Sequence, residues 1–364
     1  MQKEIISTKE GLSLIIMFIF GSALVLGTGS IAKKDVGLAI VIAILLAILL
    51  VSIYIRILQC FIGKDIFQIN LIVFGNIMGK VINIFHTWFA LHLGGLVLRN
   101  FGEFISIIGL SETPQIVSVS IISILCYWGI KNGIECIGKI SVFFLFIIMI
   151  MLALNLLLSI ISFDKTNFSI YNINYALVLK GAFSSLSFPF GESVVFLMIF
   201  SCLKDKASIK KTYIYGILIS GLVILLVSLR NLLVLSENIM VRMYFPTYIA
   251  ISRVEVADIF QRLEIVVAVA FLLTGFIKTC ICFLAATKGF ASIFNIDSYR
   301  KLAMPVSLLM INICFWSYES IMETNTWLVS TWPYYALFFQ AVIPIITLIT
   351  IKLRKKFVKA YISS

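Results

Sequence analysis

Apolar residues run along this chain in blocks too long and too unbroken for a soluble fold. Ten such blocks lie near residues 12–31, 37–57, 77–98, 115–130, 140–162, 177–202, 213–235, 263–287, 302–321 and 334–352. About 20 apolar residues rising 1.5 Å each match a hydrocarbon core of roughly 30 Å, so each block predicts a membrane-spanning helix. The first is too long and too weakly flanked for a cleavable signal, and more spans follow, so it reads as a retained helix. The amphipathic stretch Ile66 to Met78 predicts an interfacial segment before the third span. The connector Ser236 to Arg262 is polar in patches and holds Pro246, which predicts an ordered, non-spanning segment with a short helix. The expected fold class is an all-α membrane protein of about ten transmembrane helices, in one transmembrane domain over residues 1–364.

Composition strengthens that reading and removes others. Hydrophobic residues make up 61% of the chain and charged ones 13%, against roughly 25% charged in ordinary soluble domains. A formal net charge of +12 suggests nucleic acid at first sight, but the lysines sit in connectors between spans, so the membrane accounts for them and no nucleic-acid partner is expected. Lysine and arginine collect on the cytoplasmic side of membranes. With the N-terminus inside, 19 of them fall inside and 8 outside, and Arg230 and Lys278 remain within spans. Both termini inside requires an even number of spans, and ten fits. Lys204, Lys206, Lys210 and Lys211, with the basic tail from Lys352 to Lys359, read as anchors on anionic lipid of the bilayer.

The seven cysteines are scattered, and Cys280 and Cys282 would point to nearly opposite sides of a helix. His86 and His92 have no ligand spacing either, so neither a metal nor another cofactor is expected. No H-E-x-x-H, P-loop or G-x-S-x-G occurs, and the chain does not read as an enzyme.

Ten spans divide into two halves of five, about residues 10–162 and 176–353. Interrupted segments at matching positions of two inverted repeats mark the binding site in secondary transporters. The first span carries Gly21-Ser22-Ala23 and then Gly27-Thr28-Gly29, and the sixth carries Ser187-Phe188-Pro189-Phe190-Gly191-Glu192. Each is the first helix of its half. Proline removes an N–H and glycine permits unusual dihedrals, so both helices are expected to break. The freed backbone groups must then face protein or a wet cavity. A freed helix N-terminus favours a carboxylate and freed carbonyls favour an ammonium group, a combination suited to an α-amino acid. A simple packing kink at Gly21 is the plainer alternative.

Glu192 puts an ionisable group where charge is costly, so it is expected to be functional or paired. Lys278 in the eighth span and Arg230 are the nearest candidate partners by depth; Lys278 is the one preferred, and its snorkelling to the interface is the alternative. Phe89 is a candidate wall of the pocket. Arg99 and Glu103, spaced i,i+4, read as an ion pair of structural or gating kind, with Glu264 assigned to the same group.

These residues together resemble the B-subunit permeases of bacterial spore germinant receptors, the GerAB/GerKB type, within the amino acid–polyamine–organocation superfamily. The resemblance spans essentially the whole chain. It rests on Glu10-Gly11 before the broken first span, Arg99 with Glu103, Thr113-Pro114, the Phe188 to Glu192 break, the lysine cluster after the sixth span, Phe245-Pro246-Thr247, and Phe260-Gln261-Arg262-Leu263-Glu264. Gln261 departs from the family's acidic residue, and Phe89 stands where a relative has tyrosine. The resemblance implies a LeuT-like 5+5 inverted repeat with helices 1 and 6 broken around a central site. It also implies a receptor complex with an A subunit and a lipoprotein C subunit in the spore inner membrane. The germinant would be a small nutrient, in most relatives an amino acid. Sensing of that germinant and secondary transport of an amino acid, proton-coupled through Glu192, both remain open, and so does a water or ion conduit.

Overall fold

The computed structural model describes residues 4–167, 171–254 and 262–354. The regular elements of these segments are helices, with Ile6 and Leu203 forming an isolated bridge. Helix α1 (Thr8–Leu26) starts at a capping box, in which the Glu10 amide donates to Ser7 Oγ (3.3 Å) and the Ser7 amide to Glu10 Oε2 (2.6 Å). Helix α2 (Val36–Cys60) returns through the bilayer. A short helix, α3 (Ile66–Phe74), is capped by Asp65 and lies against α4 (Asn76–Ile108). The stretch expected at the interface packs one face on the protein, while Ile77 and Met78 at its end stay exposed. Ile66, Phe67, Ile69 and Asn70 are buried, and Asn70 Nδ2 donates to Asn83 Oδ1 at 2.9 Å.

Helices α5 (Gln115–Asn132) and α6 (Ile134–Ser159) complete the first half. The second half opens with α7 (Tyr175–Ser185), which continues through an irregular turn, Leu186–Phe190, into the tighter Gly191–Met198. Helix α8 (Ile209–Leu235) follows, then two short helices, α9 (Glu237–Arg242) and α10 (Pro246–Ser252), in the connector where a short helix was expected. Helix α11 (Glu264–Ile293) crosses beside α1 and α4. Next come α12 (Ala303–Trp316), α13 (Ile321–Ser330), α14 (Trp332–Leu337) and α15 (Ile343–Leu353).

Among the described residues, eight helices are long and apolar enough to cross a membrane. The number rises to nine if Tyr299–Trp316 and Ile321–Ser330, which meet at 96°, count as one bent span. The fourth expected block is present as α5, but Gln115 at one end and Lys131-Asn132 at the other dilute a helix of 18 residues.

Burial sorts the helices as the bilayer requires. Apolar side chains on α2 and α6, such as Leu45, Leu49, Phe143 and Phe146, point outward to where lipid would lie. Helix α1 from Leu14 to Leu26 and the sixth span from Ser187 to Met198 are enclosed by protein. These two central helices are the ones that can leave regular geometry, because no lipid reaches their backbone.

The N-terminal end is stitched down. The Ile6 amide donates to Cys202 O (2.9 Å) and the Lys204 amide to Ile6 O (2.8 Å). The Ile5 amide donates to Glu135 Oε1 (2.8 Å), and Glu4 Oε1 accepts from Arg300 and from Tyr299, both at 2.6 Å. Behind this strap lies a polar basin of about 680 Å³, lined in part by Asp65, Glu135, Lys288 and Arg300.

Candidate functional site

Both central helices break where the sequence places glycine and proline. Gly21 sits at φ 18°, ψ −117° inside α1, and Phe188 at φ −135°, ψ 114° ahead of Pro189. Side chains reach into the space between the breaks. Lys278 of α11 reaches in with 0% of its surface exposed, and Nζ lies 2.5 Å from Oε2 of Glu192, itself 1% exposed. The ammonium also lies over two rings, 5.3 Å from the centre of Phe18 and 5.1 Å from that of Phe188. Gly21 leaves room for this. A Cβ there would stand 2.3 Å from Lys278 Cδ.

Freed main-chain groups find side-chain partners. The Thr274 hydroxyl lies 3.1 Å from Gly21 O, shared with Ala270 O at 2.9 Å. Gln340 Nε2 donates to Ser187 O at 2.8 Å, while the Gln340 carbonyl accepts from Tyr54 OH at 2.5 Å. Gln340 occupies its own irregular turn, Phe338–Val342, between α14 and α15. Two neighbours of the ion pair, Ser193 and Thr279, carry buried hydroxyls without a partner.

The site residues expected from the sequence separate into groups. Gly21, Phe188, Glu192 and Lys278 converge at the ion pair, and Ser187 and Gly191 adjoin it through Gln340. Ser22 accepts from Asn100 Nδ2 (3.2 Å) on α4, and Ala23 and Pro189 are buried in the broken segments beside them. Phe89 goes elsewhere, stacking on Trp332 (6.0 Å) and Phe339 (5.1 Å). Phe190 is buried, with a ring carbon 3.6 Å from where a Cβ of Gly221 on α8 would lie. Phe18, Thr274, Gln340 and Tyr54 are members that sequence reasoning missed. Phe18 alone left a trace, one turn before Gly21.

On the face away from the N-terminus a second cluster forms around Glu103. Arg99 Nε lies 2.7 Å from Oε1, Thr324 Oγ1 of α13 donates to Oε1 (3.1 Å), and Tyr244 OH donates to Oε2 (2.8 Å). Tyr244 OH also lies 3.4 Å from Asn100 Oδ1, and Asn100 holds Ser22, so polar contacts run from this cluster to the break in α1. Glu264 is apart from it, 3.6 Å from Arg262. The motif residues Phe260 and Gln261 lie outside the described residues. Glu103→Ala is expected to strand the buried Arg99 and release α13 and Tyr244 together. The loss of stability should be about 3 kcal/mol or more, read as a fall in the unfolding midpoint of the detergent-purified protein. A midpoint like that of the unaltered chain would mean that this cluster holds nothing in place.

Between the Glu103 cluster and the ion pair lies an antechamber of about 340 Å³, with Gly27 to Ile31 on one side, α13 on the other and Phe188 among its walls.

A family model described as spore germination protein matches residues 5–321. Spore germination protein KB of Bacillus subtilis (strain 168) is 27% identical over 312 residues, covering 85% of this chain and 84% of that protein. Spore germination protein B2 of the same organism is 22% identical over 274 residues, 72% of each. Among solved structures, Mhp1, a nucleobase-cation-symport-1 family transporter in a closed conformation with bromovinylhydantoin bound, is similar with a TM-score of 0.67. The identity is 13%, over 92% of this chain and 76% of that one. MhsT in complex with L-phenylalanine gives a TM-score of 0.58 at 13% identity, over 96% of this chain and 99% of that one. Such low identity speaks for the fold, which is LeuT-like and matches what the resemblance implied. The chain is a multi-pass membrane protein, and it belongs to the spore germination protein family.

Proposed function

We propose that this chain is the membrane subunit of a spore germinant receptor that takes a small zwitterionic germinant, an α-amino acid, between Lys278 and Glu192. The observation that carries the reading is the buried ion pair at the junction of two broken helices. Removing one member of a buried pair strands the other charge, at a cost of roughly 3–5 kcal/mol. A ligand with a single charge would strand one of them. A zwitterion replaces both partners at once, its carboxylate on Lys278 and its ammonium on Glu192, and no charge is left uncompensated. The ligand shifts the receptor only by its difference in affinity between the open and closed arrangements. That difference would be read by an A subunit and a lipoprotein C subunit in the spore inner membrane, with both termini of this chain cytoplasmic. The reading assigns no catalytic step.

Spores carrying Glu192→Gln, with receptor levels verified by immunoblot, are expected to lose most of their response to amino acid germinants. Esterifying the germinant's carboxylate or acetylating its amine should have a similar effect on unaltered spores. A normal response in the Glu192→Gln spores would remove the ion pair from recognition.

The likeness to Mhp1 and MhsT favours a second reading, a working amino-acid secondary transporter coupled to protons through Glu192. Sustained accumulation of labelled amino acid in reconstituted vesicles, dissipated by a proton ionophore, would select it over sensing alone.

A further inference from the structure

Three cations are buried among the described residues, and two of them have a carboxylate. Lys278 meets Glu192, and Arg99 meets Glu103. Arg230, in the last turns of α8, is 2% exposed, yet it pairs with no carboxylate among the described residues. Its Nη1 donates to two neutral oxygens of α6, Asn155 Oδ1 (2.8 Å) and Ser159 Oγ (3.3 Å), while Nε is buried without a partner. The acids that follow α6 and α8 are engaged elsewhere. Asp164 accepts from the Thr166 amide (2.9 Å) and hydroxyl (2.7 Å), and Glu237 accepts from the Lys34 amide (3.2 Å). Hydrogen bonds to neutral groups do not cancel a charge, and a buried ion without a counter-ion is the costly case.

The groups around the guanidinium add donors. Thr247 Oγ1 of α10 accepts from Asn231 Nδ2 (2.9 Å), which leaves its own proton free to donate. Turning the Asn231 amide over, which gives its unpartnered Oδ1 the Thr247 proton, only exchanges one free donor for another. Asn155 Oδ1 is taken by Arg230, so its amide nitrogen is a further donor. Asn155 and Thr247 border a void of about 10 Å³ whose other walls are apolar, among them Leu24, Leu152 and Val267. That is room for roughly one particle the size of a water molecule.

We propose that α6, α8 and α10 enclose a site for a single monatomic anion, chloride, held by Arg230 with Asn155 and Thr247 as further donors. Water in the same place would satisfy the donors and leave the charge. A carboxylate or phosphate ligand would need space that these walls do not leave. Asn155 and Ser159 belong to the first half of the fold, and Arg230 and Thr247 to the second. The anion therefore ties the halves together, beside α10, which also packs on α1. It is a structural co-ligand, and nothing in the argument depends on what binds between Lys278 and Glu192.

The test is equilibrium binding of radiolabelled chloride to the full-length protein in nanodiscs. Binding is expected to saturate at one ion per chain, and the unfolding midpoint should rise when chloride replaces gluconate at constant ionic strength. Arg230→Met keeps an unbranched side chain and removes the buried charge, so it should fold, bind no chloride and show no chloride-dependent rise. Thr247→Val, which keeps the volume and removes one donor, should weaken binding about tenfold. Size-exclusion profiles like that of the unaltered protein establish that both variants fold. Three results would overturn the proposal. One is a monodisperse protein that binds no chloride and has the same midpoint in both salts. Another is a chloride response that survives in Arg230→Met. The third is binding that appears only with Glu255→Gln or Asp258→Asn, which would assign the counter-charge to the chain itself.

Discussion

Lys278→Met is expected to destabilise the protein by roughly 3–5 kcal/mol, because it leaves the Glu192 carboxylate buried without its counter-charge. Glu192 has 1% of its surface exposed and lies among Phe18, Phe188 and the broken backbone, so water cannot take over from the ammonium without opening the core. Glu192→Gln strands Lys278 in the mirror-image way. The double variant Lys278→Met, Glu192→Gln carries no buried charge and should recover most of the loss, since a buried pair replaced as a unit is often neutral for stability. Unfolding midpoints in nanodiscs across the four proteins give the coupling directly. Losses that simply add would contradict an interacting pair. The stable double variant should still be blind to amino acids, which separates recognition from folding.

Gly191→Ala should rank next. A Cβ at this position would stand 2.2 Å from Gln340 Oε1 and 2.9 Å from the main-chain oxygen of Leu186. The glutamine can withdraw only by giving up its bond to Ser187 O, and the main-chain oxygen cannot withdraw at all. Overpacking of this kind costs about 1–3 kcal/mol, and an unpaired buried carbonyl adds a similar amount. Shortening the plug, as in Gly191→Ala with Gln340→Ser, should relieve the clash with the side chain and return part of the loss. A Gly191→Ala protein as stable as its parent would mean that the sixth helix does not need this close approach.

What the sequence disclosed about this site follows from the size of the energies involved. Glu192 and Lys278 could be matched 86 residues apart because a lone charge in a span costs about 2.5–3.5 kcal/mol even on the lenient insertion scale, which demands compensation. The breaks at Gly21 and Phe188 were legible because glycine and proline act on the backbone locally. Gln340 and Thr274 were not. A neutral amide or hydroxyl in an apolar segment satisfies itself in many ways, as the bond from Thr274 to Ala270 O illustrates, so nothing in the one-dimensional pattern ties it to a helix break far along the chain. Phe89 shows the same limit for aromatics. Its ring could have faced the centre, but the helix places it against Trp332 and Phe339.

The two hydrogen bonds of Ile6, to Cys202 O and from the Lys204 amide, join the chain just before α1 to the chain just after the sixth span. The two interrupted rods are therefore yoked at one end. Neither can tilt outward alone without shearing that seam, so motion there becomes a single cooperative event, and whatever grips the first few residues holds the rein on both.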